Sequence, residues 1–576
     1  MPNRELWSAR LTRWANRRHA RRAAKVQAAT GFVSQPEPRT IGSFAKGKQL
    51  VAGNLLLAGH LVEAGEGSVW EITPPSPAFA EALHGFRWLD DLAALGDARA
   101  RARAQDWTFD WIARYASGEG PGWTPDLTGR RLIRWVNHAL FLLSGQDSGA
   151  SASFYHSLSG QTAFLAKRWH VASPGLPRFE ALTGLIYAGL SLEGMEAYVD
   201  PAIDALARDC TAQIDAEGGI TTRNPEDLLE VFTLLNWAAL ALAESGRMAR
   251  SEHIAAIERI APTLRALRHA DGGLARFHGG GRGAEGRLDL ALATSGVRAT
   301  TALGPAMGYV RLHGGRTSLI MDAAAPPVGP VSVNAHASTL GIEVTSGRRP
   351  LIVSCGSGAD FGDDWRKAGR ATPSHSVLGL KGVSSSQIGR AGGELRLVRN
   401  PSDVYAQEIE GERAVGIVAG HNGYAPSHGL GYIRRIEMTD DGRNIFCEET
   451  LAATSDEEQE AFRAALARSG LDGVEFSLRF HLHPDVDAGI DLGGTAVSLA
   501  LKSGEIWVLR YEGVAQLSLE PSVYLERGRL KPRATQQVVL AGAALDYVTR
   551  LRWSLAKAQD TPIGLRDLER DETPLR

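Results

Sequence analysis

The sequence predicts an all-α domain followed by an all-β domain, and three observations carry that reading. Apolar residues recur at helical spacing over residues 40–300, as in Phe179, Leu182, Leu185, Ile186 and Leu190, and again in Leu228, Val231, Phe232, Leu235, Ala239 and Leu242. After about Gly308 the period drops to two: Phe476, Leu478, Phe480 and Leu482 alternate with Ser477, Arg479 and His481. Glycine is over-represented, 64 of 576 residues against a usual ~7%, which implies many turns. At ~150 residues per domain the length fits three or four domains, or two large ones.

Residues 1–40 form a basic N-terminal segment. Within residues 1–30, Arg4, Arg10, Arg13, Arg17, Arg18, Arg21, Arg22 and Lys25 face one acid, Glu5. Trp7, Leu11 and Trp14 fall at i, i+4 and i+7, one stripe of a helix. Such a helix either touches an anionic membrane or polyanion, or docks on the protein as an ordinary basic helix. Residues 41–304 read as helical hairpins separated by Gly/Pro loops, stacked as a solenoid or closed as a toroid. Asn224-Pro225-Glu226-Asp227 is a helix start, with Asn as N-cap, Pro behind it and acids in the first turn. Residues 305–556 read as an antiparallel sandwich. Ile433–Met438 and Asn444–Thr450 flank Asp440-Asp441-Gly442, a hairpin turn, and Ile506–Tyr511 and Gln537–Leu540 are further strands. Residues 454–468 interrupt them as a short helical insert, and 557–576 form a C-terminal tail.

Composition excludes several classes. Sixty-three Lys+Arg against 65 Asp+Glu leave a net charge of −2, so the chain as a whole is no nucleic-acid binder. Three cysteines, Cys210, Cys355 and Cys447, allow at most one disulfide and show no zinc-ribbon spacing. The richest apolar run, Leu228–Ala243, carries Glu230 and Asn236 and is too short for a membrane span. No export signal is readable, which predicts a cytoplasmic protein with, at most, peripheral membrane contact. Ten of the thirteen tryptophans lie at or before Trp237. Trp107 and Trp111 would serve either as sugar-stacking platforms in a helical cleft or as core packing.

Six stretches stand out: Met307-Gly308-Tyr309-Val310-Arg311-Leu312, Ala335-His336-Ala337-Ser338, Leu340-Gly341-Ile342-Glu343-Val344, Arg348-Arg349-Pro350-Leu351-Ile352-Val353, Arg370-Ala371-Thr372-Pro373-Ser374-His375-Ser376-Val377 and Arg479-Phe480-His481-Leu482-His483-Pro484. Together they resemble the heparinase II/III family of polysaccharide lyases. The resemblance is densest over 305–485. It implies an α/α toroid (an incomplete helical barrel) joined to the sandwich, a cleft site between them, and a periplasmic location that conflicts with the missing export signal. The implied activity is β-elimination of a uronate-containing, acidic glycan. That needs a group to neutralise the uronate, a base for the C5 proton and an acid for the leaving oxygen.

The family's His-x-His-x-Asp element is Asn334-Ala335-His336-Ala337-Ser338 here, so only His336 is kept. In zinc-holding members the ligands come from this His, an Asp ending the next strand and a later His. The matching positions give His336, Cys355 and His375, a set that would hold a structural zinc. In the alternative, both histidines hydrogen-bond within the sandwich and Cys355 is a small buried hydrophobe. No other cofactor is implied. The Asn-His and Tyr-His pairs that open inner helices in the family fall at Arg178-Phe179-Glu180 and Arg223-Asn224-Pro225-Glu226-Asp227. Arg178, Arg223 or Asn224 would then bind the carboxylate, although Asn224 also reads as a plain N-cap. The loop Arg276-Phe277-His278-Gly279-Gly280-Gly281-Arg282 offers Arg276 and Arg282 to an anion and His278 as a base or acid. Tyr424, in a His/Tyr-rich loop, would protonate the leaving oxygen. The sequence thus reads as a lyase of acidic polysaccharide or oligosaccharide with His336, Arg223, Asn224, His278 and Tyr424 catalytic. The alternative is a degenerate member that binds glycan without cleaving it. Hydrolysis by Glu226 and Asp227 is disfavoured, because adjacent residues point apart on a helix.

Overall fold

The computed structural model describes residues 7–558 apart from 66, 301–303, 412 and 471. Arg4, Glu5 and the predicted tail beyond 558 lie outside the described residues. A helical toroid is followed by an antiparallel sandwich, as the change of period predicted. The basic stripe forms helix α1 (Trp7–Ala23). The helices that matter for the site are α2 (Pro125–Asn137), α3 (Leu176–Ser191), α4 (Pro225–Glu244) and α5 (Ser251–Ala266). Helix α4 begins where the sequence placed it. The Asn224 side chain accepts from Glu226 N and Asp227 N, and Pro225, which has no N–H to satisfy, fills the first position.

Helix α2 packs on α3, and α3 on α4. The first pair meets at two glycines. A Cβ on Gly184 would stand 2.5 Å from the Gly129 Cα, and one on Gly129 would stand 2.2 Å from the Glu180 carbonyl oxygen. Bare backbone at both positions lets the helices touch and fixes Glu180 against α2. Tryptophan fills the toroid core: Trp88, Trp107, Trp111 and Trp135 are buried. Sequence reasoning missed a hairpin inside the helical half, Asn54–Leu57 with His60–Glu63. Its tip, Gly59, sits against the Asp360 backbone so closely that any side chain there would clash, which ties the toroid to the sandwich.

The sandwich strands begin with β1 (Tyr309–Gly314), β2 (Thr317–Asp322), β3 (Ile342–Ser346), β4 (Arg349–Val353), β5 (Val404–Gly411), β6 (Ala414–Tyr424) and β7 (Leu430–Thr439). They continue with β8 (Asn444–Ala452), β9 (Val474–Leu482), β10 (Val486–Asp491), β11 (Ala496–Leu501), β12 (Ile506–Glu512), β13 (Gln516–Tyr524), β14 (Arg533–Ala544) and β15 (Val548–Lys557). One sheet runs β13-β14-β9-β4-β3-β2-β1, with Leu378–Leu380 added beside β9; the other runs β5-β6-β7-β8-β15-β12-β11-β10. In β9 the alternating Phe476, Leu478, Phe480 and Leu482 enter the core between the sheets. The predicted hairpin joins β7 to β8, with Gly442 at φ +65. The predicted insert is a helix, Asp456–Arg468, closed by a Ser455/Glu458 capping box. Tyr309 and Ile320 belong to the toroid's core, so the two domains share apolar packing. Among the described residues no helix is long and apolar enough to cross a membrane.

Candidate functional site

The boundary between the domains is built around the glycine-rich loop that follows α5. The loop is clamped on both sides. Gly281 N donates to Glu226 Oε2 of α4 at 2.8 Å, and Gly279 N donates to His336 Nε2 of the sandwich at 3.0 Å. His336 N in turn donates to His278 Nδ1 at 3.0 Å. Each histidine therefore accepts an N–H from the other's segment, a reciprocal latch across the domain boundary. Gly279 has φ +91, and a Cβ there would come within 2.8 Å of the Asn334 side chain, so the latch requires glycine.

Asp322, at the end of β2, is the hub beneath this latch and is fully buried. It accepts from Arg223 Nη2 and Ser338 Oγ, both at 2.6 Å, and His278 Nε2 stands 3.4 Å away. Burial would raise its pKa, but Arg223 and His278 outweigh that and hold the carboxyl well below the usual range. Arg223 sits in a left-handed conformation, φ +50, and spends every N–H it has. Nε donates to Met307 O (3.0 Å), Nη1 to Ala324 O (3.1 Å) and Ala325 O (2.9 Å), and Nη2 to Gly308 O (2.9 Å) and Asp322. A guanidinium has five N–H donors. None is left for a substrate carboxylate.

The other predicted site residues are likewise occupied. Asn224 is the α4 N-cap and is buried. His278 and His336 are buried, and burial lowers the pKa of both. Arg276 is buried between Glu343 (3.3 Å), the Ser354 carbonyl (2.8 Å) and the face of Tyr524. Arg178 clamps the Ala172 carbonyl (2.9 Å) and Asp209 (3.3 Å). Tyr424 is buried in the sandwich and donates to Leu378 O at 3.0 Å, far from any leaving-group role in the cleft. Trp107 and Trp111 are core residues rather than platforms: Trp107 packs edge-on to Trp88, and Arg131 lies 4.1 Å over Trp111. Arg282 alone of these keeps an exposed guanidinium, 3.5 Å from Asp271.

The predicted zinc set His336, Cys355 and His375 does not converge among the described residues. Backbone N–H groups can only donate, so Nε2 of His336 and Nδ1 of His278 must be acceptors, which puts the proton on the opposite nitrogen of each ring. Those nitrogens have no lone pair to offer. The His336 and His375 rings lie 5.0 Å apart, but Cys355 Sγ faces His481 Nδ1 (3.5 Å) and Ser522 Oγ (3.9 Å) instead. The position after β4 that carries Asp in zinc-holding members has Ser354, hydrogen-bonded to His375 Nδ1 at 3.2 Å. Among the described residues no three His, Cys, Asp or Glu side chains gather as a metal site.

The cleft wall contributed by the toroid is a lattice of ion pairs. Glu230 takes Arg87 (3.0 Å) and Arg287 (2.7 Å), Glu180 takes Arg130 (2.6 Å), and Glu226 takes Arg527 (2.5 Å) from the sandwich. Asp227 has no arginine of its own; burial, then Glu226, pushes it up to about 7. Sequence reasoning missed Asp322, Glu343 and Arg527. The signal for the first two was present: each is the one carboxylate of its strand.

Residues 297–554, which cover the sandwich, match the heparinase II/III-like C-terminal family model. The toroid and sandwich together have the fold of the heparinase III crystal structure (TM-score 0.67, 13% identity, 96% of this chain and 90% of that one). The heparan sulfate lyase HepC mutant from Pedobacter heparinus is also similar (TM-score 0.58, 14% identity, 95% of this chain and 88% of that one). In sequence the chain is 29% identical to FtsZ-localized protein C of Caulobacter vibrioides, over 92% of this chain and 91% of that protein.

Proposed function

We propose that this chain uses the lyase scaffold to bind an acidic glycan in the interdomain cleft without cleaving it. The observation that carries this is the consumption of Arg223 and the two latch histidines by the domain interface. Elimination needs an available cation, base and acid; Arg223 has no N–H to spare, and each latch histidine is buried with one ring nitrogen taken by a backbone N–H. Binding is supported by the half-exposed guanidiniums of Arg87, Arg282 and Arg527 along the cleft. The test is to pass heparan-, chondroitin- and glucuronan-type chains over the immobilised protein. Retention of one class with its chain length unchanged is expected; shortened chains would overturn the reading.

A second feature concerns where the protein works. Trp7, Leu11 and Trp14 are 80%, 60% and 59% exposed on one stripe of the arginine-rich α1. This supports peripheral contact with an anionic membrane, the apolar stripe inserting and the arginines meeting headgroups. The likeness to FtsZ-localized protein C supports association with FtsZ. Sedimentation with phosphatidylglycerol vesicles, lost when Trp7, Leu11 and Trp14 are all changed to Ser, is the expected result. Equal sedimentation of the triple variant, or of vesicles without anionic lipid, would overturn the membrane reading.

A further inference from the structure

The sheet that faces away from the toroid carries a hollow that the cleft reading does not use. Its volume is about 480 Å³, and its floor is the outer face of β7, β8, β15 and β12. Strand register lays two rows of side chains across this face. The first row runs Glu437, Phe446, Ser554, Arg510, each opposite the next on the neighbouring strand. The second row includes Glu448 and Arg552 in the same manner.

The two rows differ in kind. In the second, Arg552 Nε donates to Glu448 Oε2 at 2.8 Å, so those charges satisfy each other. The first row has an open middle. Phe446 presents its ring to solvent, 52% exposed, and Ser554 beside it is small enough to leave the hollow. At one end Glu437 is held by Arg435 through one carboxylate oxygen. At the other, Arg510 is exposed and has no acidic partner among the described residues. Glu437 and Arg510 are three strand spacings apart, about 14 Å. That distance suits two linked sugar rings.

We propose that this face binds a carboxylated saccharide of two or more units. One sugar stacks its C–H face on Phe446, a hydroxyl donates to Glu437, and the carboxylate of the next unit pairs with Arg510 in a bidentate fork. The proposal takes its ligand class from the proposed function but gives that ligand a second place, on the opposite side of the sandwich from the cleft.

The experiment titrates the full chain with a glucuronate-containing tetrasaccharide of chondroitin type, with cellotetraose as the neutral control. Hydrogen exchange of Asn444–Ala452 and Val548–Lys557 reports the location. Phe446→Ala and Arg510→Gln change exposed side chains on a sheet whose core lies on its other face. Each is expected to weaken the acidic probe about tenfold, the worth of one good contact. Slowed exchange in both strands is expected with the wild-type chain alone. Undiminished binding in both variants would overturn the outer site while leaving the cleft reading intact. Equal binding of cellotetraose would overturn the role given to Arg510. Failure of the wild-type chain to bind the acidic probe would overturn the outer site, while the cleft reading falls only if heparan- and glucuronan-type chains also fail to be retained. An acidic peptide that displaces the probe and binds more tightly would overturn the ligand class.

Discussion

Replacing Arg223 by Ala tests whether this residue is a structural strap. The change removes five hydrogen bonds and leaves Asp322 fully buried without its cation. Breaking a buried ion pair by deleting one partner costs about 3–5 kcal/mol, because the remaining charge is desolvated and unpaired. His278 and Ser338 still face Asp322, so the lower half of that range, about 3 kcal/mol, is the expectation. Arg223→Lys keeps a charge but cannot fork among four carbonyls, and should recover less than half of the loss. Urea unfolding at neutral pH measures both. The pH dependence is a second check. In the wild-type chain Asp322 is depressed when folded, so its contribution is present above the unfolded value of about 4 and is lost as pH falls through and below it. In Arg223→Ala the carboxyl loses that depression and takes up a proton at higher pH, so the deficit should shrink between neutral pH and about 4. A loss below about 1 kcal/mol, the range of an exposed pair, would refute the strap. So would a deficit that does not change with pH.

Three further outcomes follow from the same geometry. His336→Ala opens the latch and leaves the buried Gly279 N–H unpaired, which should cost about 1–3 kcal/mol in thermal or chemical unfolding; an unchanged midpoint would contradict the latch. Protein produced with zinc in the medium should carry substoichiometric metal, and a chelator should leave its Tm unchanged; one tightly held zinc per chain would contradict the proton placement on His336. Asp227 is raised to about 7 when folded, so the unfolded chain ionises first and stability should fall as pH rises from about 4 to about 7. Asp227→Asn should flatten that fall and be more stable by about 1–2 kcal/mol at pH 8, a discounted share of the full shift because Asp227 keeps some exposure; matching pH profiles would contradict it.

The architecture was legible because both periods are strong. The α4 start was readable to the residue, since Asn, Pro and two acids each favour that position for separate reasons. The hairpin Asn54–Glu63 was hidden because Leu55, Leu56 and Leu57 in sequence suit a helix as well as a strand. The candidate site was legible as a set of segments but not as chemistry. His336, His278 and Arg223, which the sequence offered as one set, all meet at the domain boundary. The sequence could not show that the meeting uses every N–H of Arg223 and one ring nitrogen of each histidine, because that depends on backbone groups such as Gly279 N–H and Met307 C=O that carry no side-chain signature. Trp107 and Trp111 were ambiguous for a similar reason: their i, i+4 spacing marks one helix face without saying which way it points.

The central claim is that the scaffold is kept while elimination is absent. Its most direct test follows ultraviolet absorbance while the purified chain is incubated with heparan-, chondroitin-, alginate- and glucuronan-type substrates. An unsaturated uronate absorbs where its parent does not. The account predicts a flat trace with every substrate, from protein that unfolds cooperatively and retains one of the glycans. A rise with any of them that disappears in Arg223→Lys would contradict it, because it would show that a residue described here as a structural strap takes part in elimination.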